Sequence, residues 1–172
     1  MSKFNLVRTS TLFAVIPALT IGLAACGNSG GTQTDETITV DGEEVNLGVV
    51  IETRQQNFKT LGKSSKSIST AIKTGDPTSA DVISAINTIE DLSNDLETWF
   101  PEGSGPDSGV KTAAKAEIWD NPEDFSAAAG EFQLAADALR EAGESGDAGA
   151  VELAFGSVGK SCGNCHDNFK AD

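Results

Sequence analysis

The sequence predicts an all-α fold, an antiparallel four-helix bundle. Three observations carry that expectation. Between residue 47 and the C-terminus, apolar residues recur three and four apart in four successive segments, the period of an amphipathic helix. Clusters of Gly, Pro and Asp separate the segments, and most of the joints are short, which favours antiparallel neighbours. No stretch of 47–172 alternates apolar and polar residues as a half-buried strand would.

Residues 1–25 stand outside the fold. Lys3 and Arg8 precede a run of small and apolar residues, Leu12 to Ala25, too short to span a bilayer comfortably, so the segment reads as a targeting signal. It ends in Leu23-Ala24-Ala25-Cys26, the pattern of a bacterial lipobox in which Cys26 becomes the lipidated N-terminus. The alternative is an ordinary cleaved signal with an incidental cysteine. Leu23 weighs against it, because that peptidase prefers a small residue three before the cut. Residues 26–46, rich in Gly, Thr, Ser, Asn and acids, read as a flexible tether. Val40 and Val45 suit a short strand, but nothing nearby offers it a partner.

The bundle occupies 47–172. Its first helix carries Ile51, Arg54, Phe58, Leu61, Ser65, Ile68 and Ile72 on one stripe, and Gly75 ends it. The second opens near Asp76-Pro77-Thr78 and runs through Val82, Ile86, Ile89, Leu92, Leu96 and Trp99, until Pro101 and Gly103-Ser104-Gly105-Pro106 break it. A connection from Asp107 to Asn121 carries Ile118 and Trp119. The third helix starts near Asn121-Pro122 and shows Phe125, Ala128, Phe132, Ala135, Leu139 and Ala142, with Gly143 and Gly146 closing it. Asp147 is a good N-cap for the fourth, whose stripe is Val151, Phe155, Val158, Cys162, Cys165, His166 and Phe169.

The chain has 172 residues, 38% hydrophobic and 22% charged, which suits a signal plus one modest domain. Residues 1–25 hold two positive charges and no acid, so the formal charge of –14 becomes –16 without them. So acidic a surface argues against nucleic acid as a partner. It favours solubility and basic partners, or is simply a solvated face.

The chemistry concentrates in Cys162-Gly163-Asn164-Cys165-His166, the C-x-x-C-H pattern of c-type haem attachment. On a helix, positions i, i+3 and i+4 share a face. Two thiols there can bond two vinyl groups on one edge of a haem while the imidazole lies under the iron. A thioredoxin-like redox pair would need a βαβ setting, which an all-helical chain lacks. A zinc site would need a fourth ligand, and the domain holds no other His or Cys. A chance match is the remaining alternative. Every cysteine outside the lipobox and the only His fall in this window, which counts against it. For the far side of the iron the domain offers no Met, no second His, no Tyr and no spare Cys; Lys or Asn could ligate in principle but are usually solvated. The economical reading is five-coordinate iron, open to small diatomic ligands or serving as a high-spin electron carrier.

Residues 47–172 resemble the cytochrome c-prime family of periplasmic four-helix-bundle cytochromes. The most specific stretch runs from Ala154 to Lys170 around the C-x-x-C-H. Supporting it are Arg54-Gln55, Trp99-Phe100-Pro101 ahead of a Gly-rich loop, Thr112, and Glu117-Ile118-Trp119. The resemblance implies one covalent haem c held by Cys162 and Cys165 with His166 on the iron. It implies that Arg54 and Gln55 meet the haem edge or propionates, with further contacts from Thr112 and Ala113. The family often has a charged residue where Ala113 stands. Phe58 falls where the family places the side chain covering the distal face, usually Leu. Met there marks low-spin relatives of the c-556 kind. Phe58 also lies on the core stripe, so simple packing is its other reading. The basic residue four after the haem-ligating His is matched by Lys170. The lipobox and tether depart from the family's usual soluble form.

The expected function is a c-type cytochrome, tethered to a membrane only by its lipid, that binds nitric oxide or carbon monoxide, passes electrons to an unidentified redox partner, or does both. It is not expected to be an enzyme. The alternatives are a c-556-like electron carrier, disfavoured by the missing Met, and a peroxidase, disfavoured by an apolar residue where a distal acid–base group belongs. The resemblance further implies a homodimer through the first two helices.

Overall fold

A computed structural model of the chain describes residues 36–40 and 42–171. The signal segment, Cys26 and the first part of the expected tether lie outside the described residues.

The rest of the expected tether folds. Strand β1, Thr37–Val40, pairs antiparallel with β2, Glu43–Asn46, and sets Ile38 opposite Val45. The strand suggested by Val40 and Val45 therefore has a partner: the same short segment doubled back on itself. Asp41-Gly42 is a strong two-residue hairpin signal, and Gly42 has φ 85°, a region open to glycine at little cost.

Helix α1, Leu47–Thr74, follows without a loop. Asn46 caps it, its Oδ1 accepting from the Val49 N–H at 3.2 Å, and Gly75 at φ 82° terminates it with its N–H on the carbonyls of Ala71 and Ile72. Helix α2, Ala80–Asn94, begins later than Asp76-Pro77-Thr78 suggests: Pro77 is buried ahead of the helix and Ser79 is the capping residue. The stripe through Leu96 and Trp99 stays buried, but those residues form a separate 3-10 turn, Leu96–Trp99. Ser93, Asn94 and Asp95 compete with the helix backbone for hydrogen bonds, which ends α2 there.

After a loop and a short helix α3, Glu117–Asp120, Pro122 opens α4, Pro122–Ser145. Gly146 at φ 70° ends α4. Gly143, expected to help close it, instead lies inside the helix and buried. A Cβ there would meet Ile86 Cδ1 at 3.1 Å and Ile83 Cδ1 at 3.2 Å, so this glycine serves the close approach of α2. Asp147 caps α5, Ala148–Phe169, by accepting from Gly149 N–H and Ala150 N–H at 2.8 and 3.0 Å.

The four long helices make the expected bundle. Helix α4 packs on both α5 and α2, and α2 packs on α1. Ile68, Ile86, Ile89, Phe132, Leu139, Val151 and Val158 fill the centre. Each fully buried side chain of this kind is worth about 1.5–3 kcal/mol of transfer free energy. The ring closes weakly on one side only, where α1 and α5 barely touch.

Candidate functional site

The last turns of α5 carry the thiols and the imidazole. Cys162 and Cys165 are half-buried against the core, are not joined to each other, and have their thiols pushed up by burial, so both sulfurs are protonated at neutral pH. His166 is exposed, and its imidazole has no hydrogen-bond partner among the described residues. Desolvation holds its pKa below the ordinary value, with Lys170 acting in the same direction and Asp167 opposing. The imidazole is therefore neutral, with a lone pair free. Two neutral thiols and one uncommitted imidazole on a single helical face suit a covalently held macrocycle with one axial nitrogen. Nothing suits a metal ion held by protein alone: no cluster of three His, Cys, Asp or Glu occurs among the described residues.

A second wall stands on α1 and the loop after α2. Arg54 is 3% exposed and points inward. Its Nη1 donates to the Trp99 carbonyl at 3.3 Å and to Ser104 Oγ at 3.0 Å. Its Nη2 donates to the Ser104 carbonyl at 2.9 Å and to Thr112 Oγ1 at 3.0 Å. Its guanidinium carbon also lies 4.6 Å from the centre of the Phe100 ring. Burial lowers its pKa to about 10, which leaves it charged, and among the described residues no carboxylate pairs with it. Four neutral acceptors therefore meet its hydrogen-bonding needs. The loop thus supplies the hydrogen bonds that burial of a guanidinium demands.

The other expected contacts gather around the same loop. Gln55 Nε2 donates to the Lys111 carbonyl at 3.1 Å. Thr112 Oγ1, besides serving Arg54, accepts from the Ala114 N–H at 3.1 Å. Ala113 is exposed, and its carbonyl accepts from the Ala171 N–H at 2.8 Å. Ala114 bridges to Lys170, Lys115 N–H donates to the Phe169 carbonyl at 3.0 Å, and Lys115 Nζ donates to the Asp167 carbonyl at 3.0 Å. So Arg54, Gln55, Thr112 and Ala113 do come together, and the loop that joins them is stitched to the end of α5 beside His166.

Phe58 lies one turn beyond Arg54 and is 37% exposed, which separates it from ordinary core. Its ring meets Trp99 edge-on at 5.4 Å and Phe100 at 6.2 Å. Phe100 continues to Phe125 at 4.9 Å, and Phe125 to Phe169 at 5.3 Å. This chain of rings links the wall at Phe58 to the residue three beyond His166.

Sequence reasoning missed Ser104 and the extent of Phe100's role. Ser104 is fully buried, and besides holding Arg54 it donates from Oγ to the Pro101 carbonyl at 2.7 Å. The signal was a serine between two glycines. Gly103 has φ 84°, and a Cβ there would meet Ile38 of the hairpin at 3.2 Å; a Cβ at Gly105 would meet the Trp119 ring at 3.0 Å. A groove of about 290 Å³ lies on another flank of α5, edged by Glu117, Asp124, Glu131 and Asn164. Ala127, Ala128 and Phe169 line it as well.

Residues 49–170 match the model of the family described as cytochrome C'. The cytochrome c' of Allochromatium vinosum is 32% identical over 155 residues, covering 89% of this chain and 92% of its own. A solved cytochrome c' with an unusual ligand-controlled dimer dissociation superposes with a TM-score of 0.69 at 33% identity, covering 74% of this chain and 98% of its own. A ferrous variant of the cytochrome c prime from Alcaligenes xylosoxidans, with bound NO, superposes with a TM-score of 0.64 at 25% identity, covering 72% of this chain and 94% of its own. The bundle, the half-buried thiol pair with its adjacent imidazole and these likenesses converge: the chain belongs to the cytochrome c-prime family, c-type cytochromes of the periplasm that carry one covalent haem c.

Proposed function

We propose that this cytochrome binds small diatomic gases, nitric oxide and carbon monoxide, at a five-coordinate haem iron, and passes electrons to a redox partner. The observation that carries the reading is the ligand inventory. The domain has one His, no Met and no Tyr, and the side chain expected over the distal face is the half-exposed ring of Phe58. A phenyl ring has no lone pair strong enough to ligate iron. The relative with ligand-controlled dimer dissociation and the NO-bound relative support the reading.

In this proposal Cys162 and Cys165 would hold the haem through thioether bonds, and His166 would supply a nitrogen ligand to its iron. Arg54, Gln55, Thr112 and the Ala113 backbone stand at the haem edge. The haem supplies an iron that takes up a diatomic or an electron. The chain's part is to hold it, shape access and exclude a second strong ligand. The side chain expected over the distal face, Phe58, is apolar, so it cannot itself serve as the proton shuttle of a peroxidase cycle. Cys26 is proposed to carry lipid that tethers the domain to a membrane, and a homodimer is proposed from the relative's behaviour.

Optical spectra of the ferric and ferrous protein, with and without nitric oxide and carbon monoxide, test the reading. High-spin five-coordinate spectra that change with either gas are expected. A low-spin six-coordinate ferrous spectrum, unresponsive to both, overturns it in favour of a c-556-like electron carrier. Haem should also stay on the chain through denaturing electrophoresis, and Cys162→Ala with Cys165→Ala should release it. Retention by the double variant would refute the attachment.

A further inference from the structure

We infer that Arg54 is a positioning residue for the gas site: it pins the wall against which Phe58 rests, and so sets how readily that ring yields to an incoming diatomic. The inference rests on the proposed distal role of Phe58. It adds a function for a buried cation that is otherwise accounted for only as a haem-edge contact.

The argument starts from what the ring touches. Among the aromatic rings of the described residues Phe58 meets Trp99 and Phe100, and 37% of it is exposed. A ligand that needs the ring's volume can push it toward those two side chains or out toward solvent. The first direction is closed only if the wall is rigid. Trp99 and Phe100 sit where a 3-10 turn runs into a loop, a place where backbones commonly give. Here Arg54 fastens that stretch. Its fork takes the Trp99 carbonyl and both Ser104 oxygens, and its face lies on the Phe100 ring. Its fourth bond, to Thr112 Oγ1, ties the far end of the loop to the same group. Trp119 Nε1 also donates to the carbonyls of Phe100 and Pro101, both at 3.2 Å.

Arg54 and Phe58 stand four residues apart on α1, hence on one face. A single helix therefore supplies both the moving ring and the group that immobilises its wall. Lysine cannot replace this function, because one point charge with three rotating donors does not match a fork that serves three residues at fixed angles.

The test uses the ferrous holoprotein and measures carbon monoxide association after flash photolysis in four proteins: parent, Phe58→Ala, Arg54→Met and the double variant. Arg54→Met is expected to speed association about fivefold to tenfold, the size of one net hydrogen bond. In the Phe58→Ala background the same change is expected to do nothing, because no ring remains for the wall to hold. Arg54→Lys should resemble Arg54→Met, and Thr112→Val, which removes one bond of the four, should give a smaller acceleration. Those two variants carry the test should Arg54→Met not fold. Equal acceleration with and without Phe58, or none in any Arg54 or Thr112 variant, overturns the inference. If Phe58→Ala itself leaves the rate unchanged, the distal role of Phe58 has failed. If Phe58→Ala accelerates binding and the Arg54 and Thr112 variants do not, only the clamp has failed.

Discussion

Two residues on one helical face show how burial separates roles. Arg54, 3% exposed, is held by four hydrogen bonds and a ring, whereas Phe58, 37% exposed, rests against the rings of Trp99 and Phe100. Phe58→Ala should raise carbon monoxide affinity, because the ligand no longer displaces a ring from a packed site. Its stability cost should fall below the ~3–5 kcal/mol of a fully buried Phe→Ala change, because part of the ring already faces water. Gas titration and chemical denaturation of the same variant check both halves. Ser104→Ala should cost about 1–3 kcal/mol in denaturant titration, since it strips an acceptor from the buried Arg54 and leaves the Pro101 carbonyl without its hydroxyl donor. A change within a few tenths of a kcal/mol would mean that water replaces the hydroxyl. The side chain of Arg54 was legible as inward-facing from its register, but its partners were not. They lie 45 to 58 residues away in a loop whose course has no periodicity to read.

At the scale of elements, the joints hold the information. Asp147 and Gly75 act as their types foretell, one as a side-chain cap and the other as a left-handed terminator. Gly143 has the same residue type as Gly75 and the opposite use. It is a notch in α4 into which Ile83 and Ile86 of α2 fit. Gly143→Val should therefore destabilise the bundle by about 1–3 kcal/mol through overpacking, despite the higher helix propensity of Val over Gly. Thermal unfolding followed by helical circular dichroism would show a lowered midpoint; a raised midpoint would mean that α2 and α4 have room to part. The loop between α2 and α3 is the element that makes the site. It fastens to α1 through Arg54 and Gln55 and to the end of α5 through Ala113, Ala114 and Lys115, and so spans the side of the ring where those two helices barely touch.

At the scale of the molecule, the bundle carries a thiol pair and an imidazole on the last turns of α5, and the chain that holds them is acidic. The formal charge of –14 makes the chain strongly acidic, which favours solubility. Lipidation belongs to this scale as well. Changing Cys26 to Ser should move the exported protein from the membrane fraction to the soluble one, because stable anchoring needs attached acyl chains. Fractionation with haem staining checks it. Unchanged membrane association of that variant would rule out Cys26 as the anchor.

The sequence by itself determined the four helices, most of each buried stripe and the C-x-x-C-H, because each rests on short-range periodicity or spacing along one element; Phe58 and His166, on the expected stripes, are exposed. Phe58 belonged to that reading by register, as did the caps at Gly75 and Asp147. Only the tertiary structure decided the rest. The hairpin at 37–46 formed where a tether was expected, because two four-residue strands carry too little pattern to outweigh a polar composition, and they settle beside the Gly103 loop through Ile38. The fastening of Arg54 to Trp99, Ser104 and Thr112 was decided there too. Hydrogen bonds between residues this far apart depend on how the chain returns to itself, and no local pattern of residue types records that path.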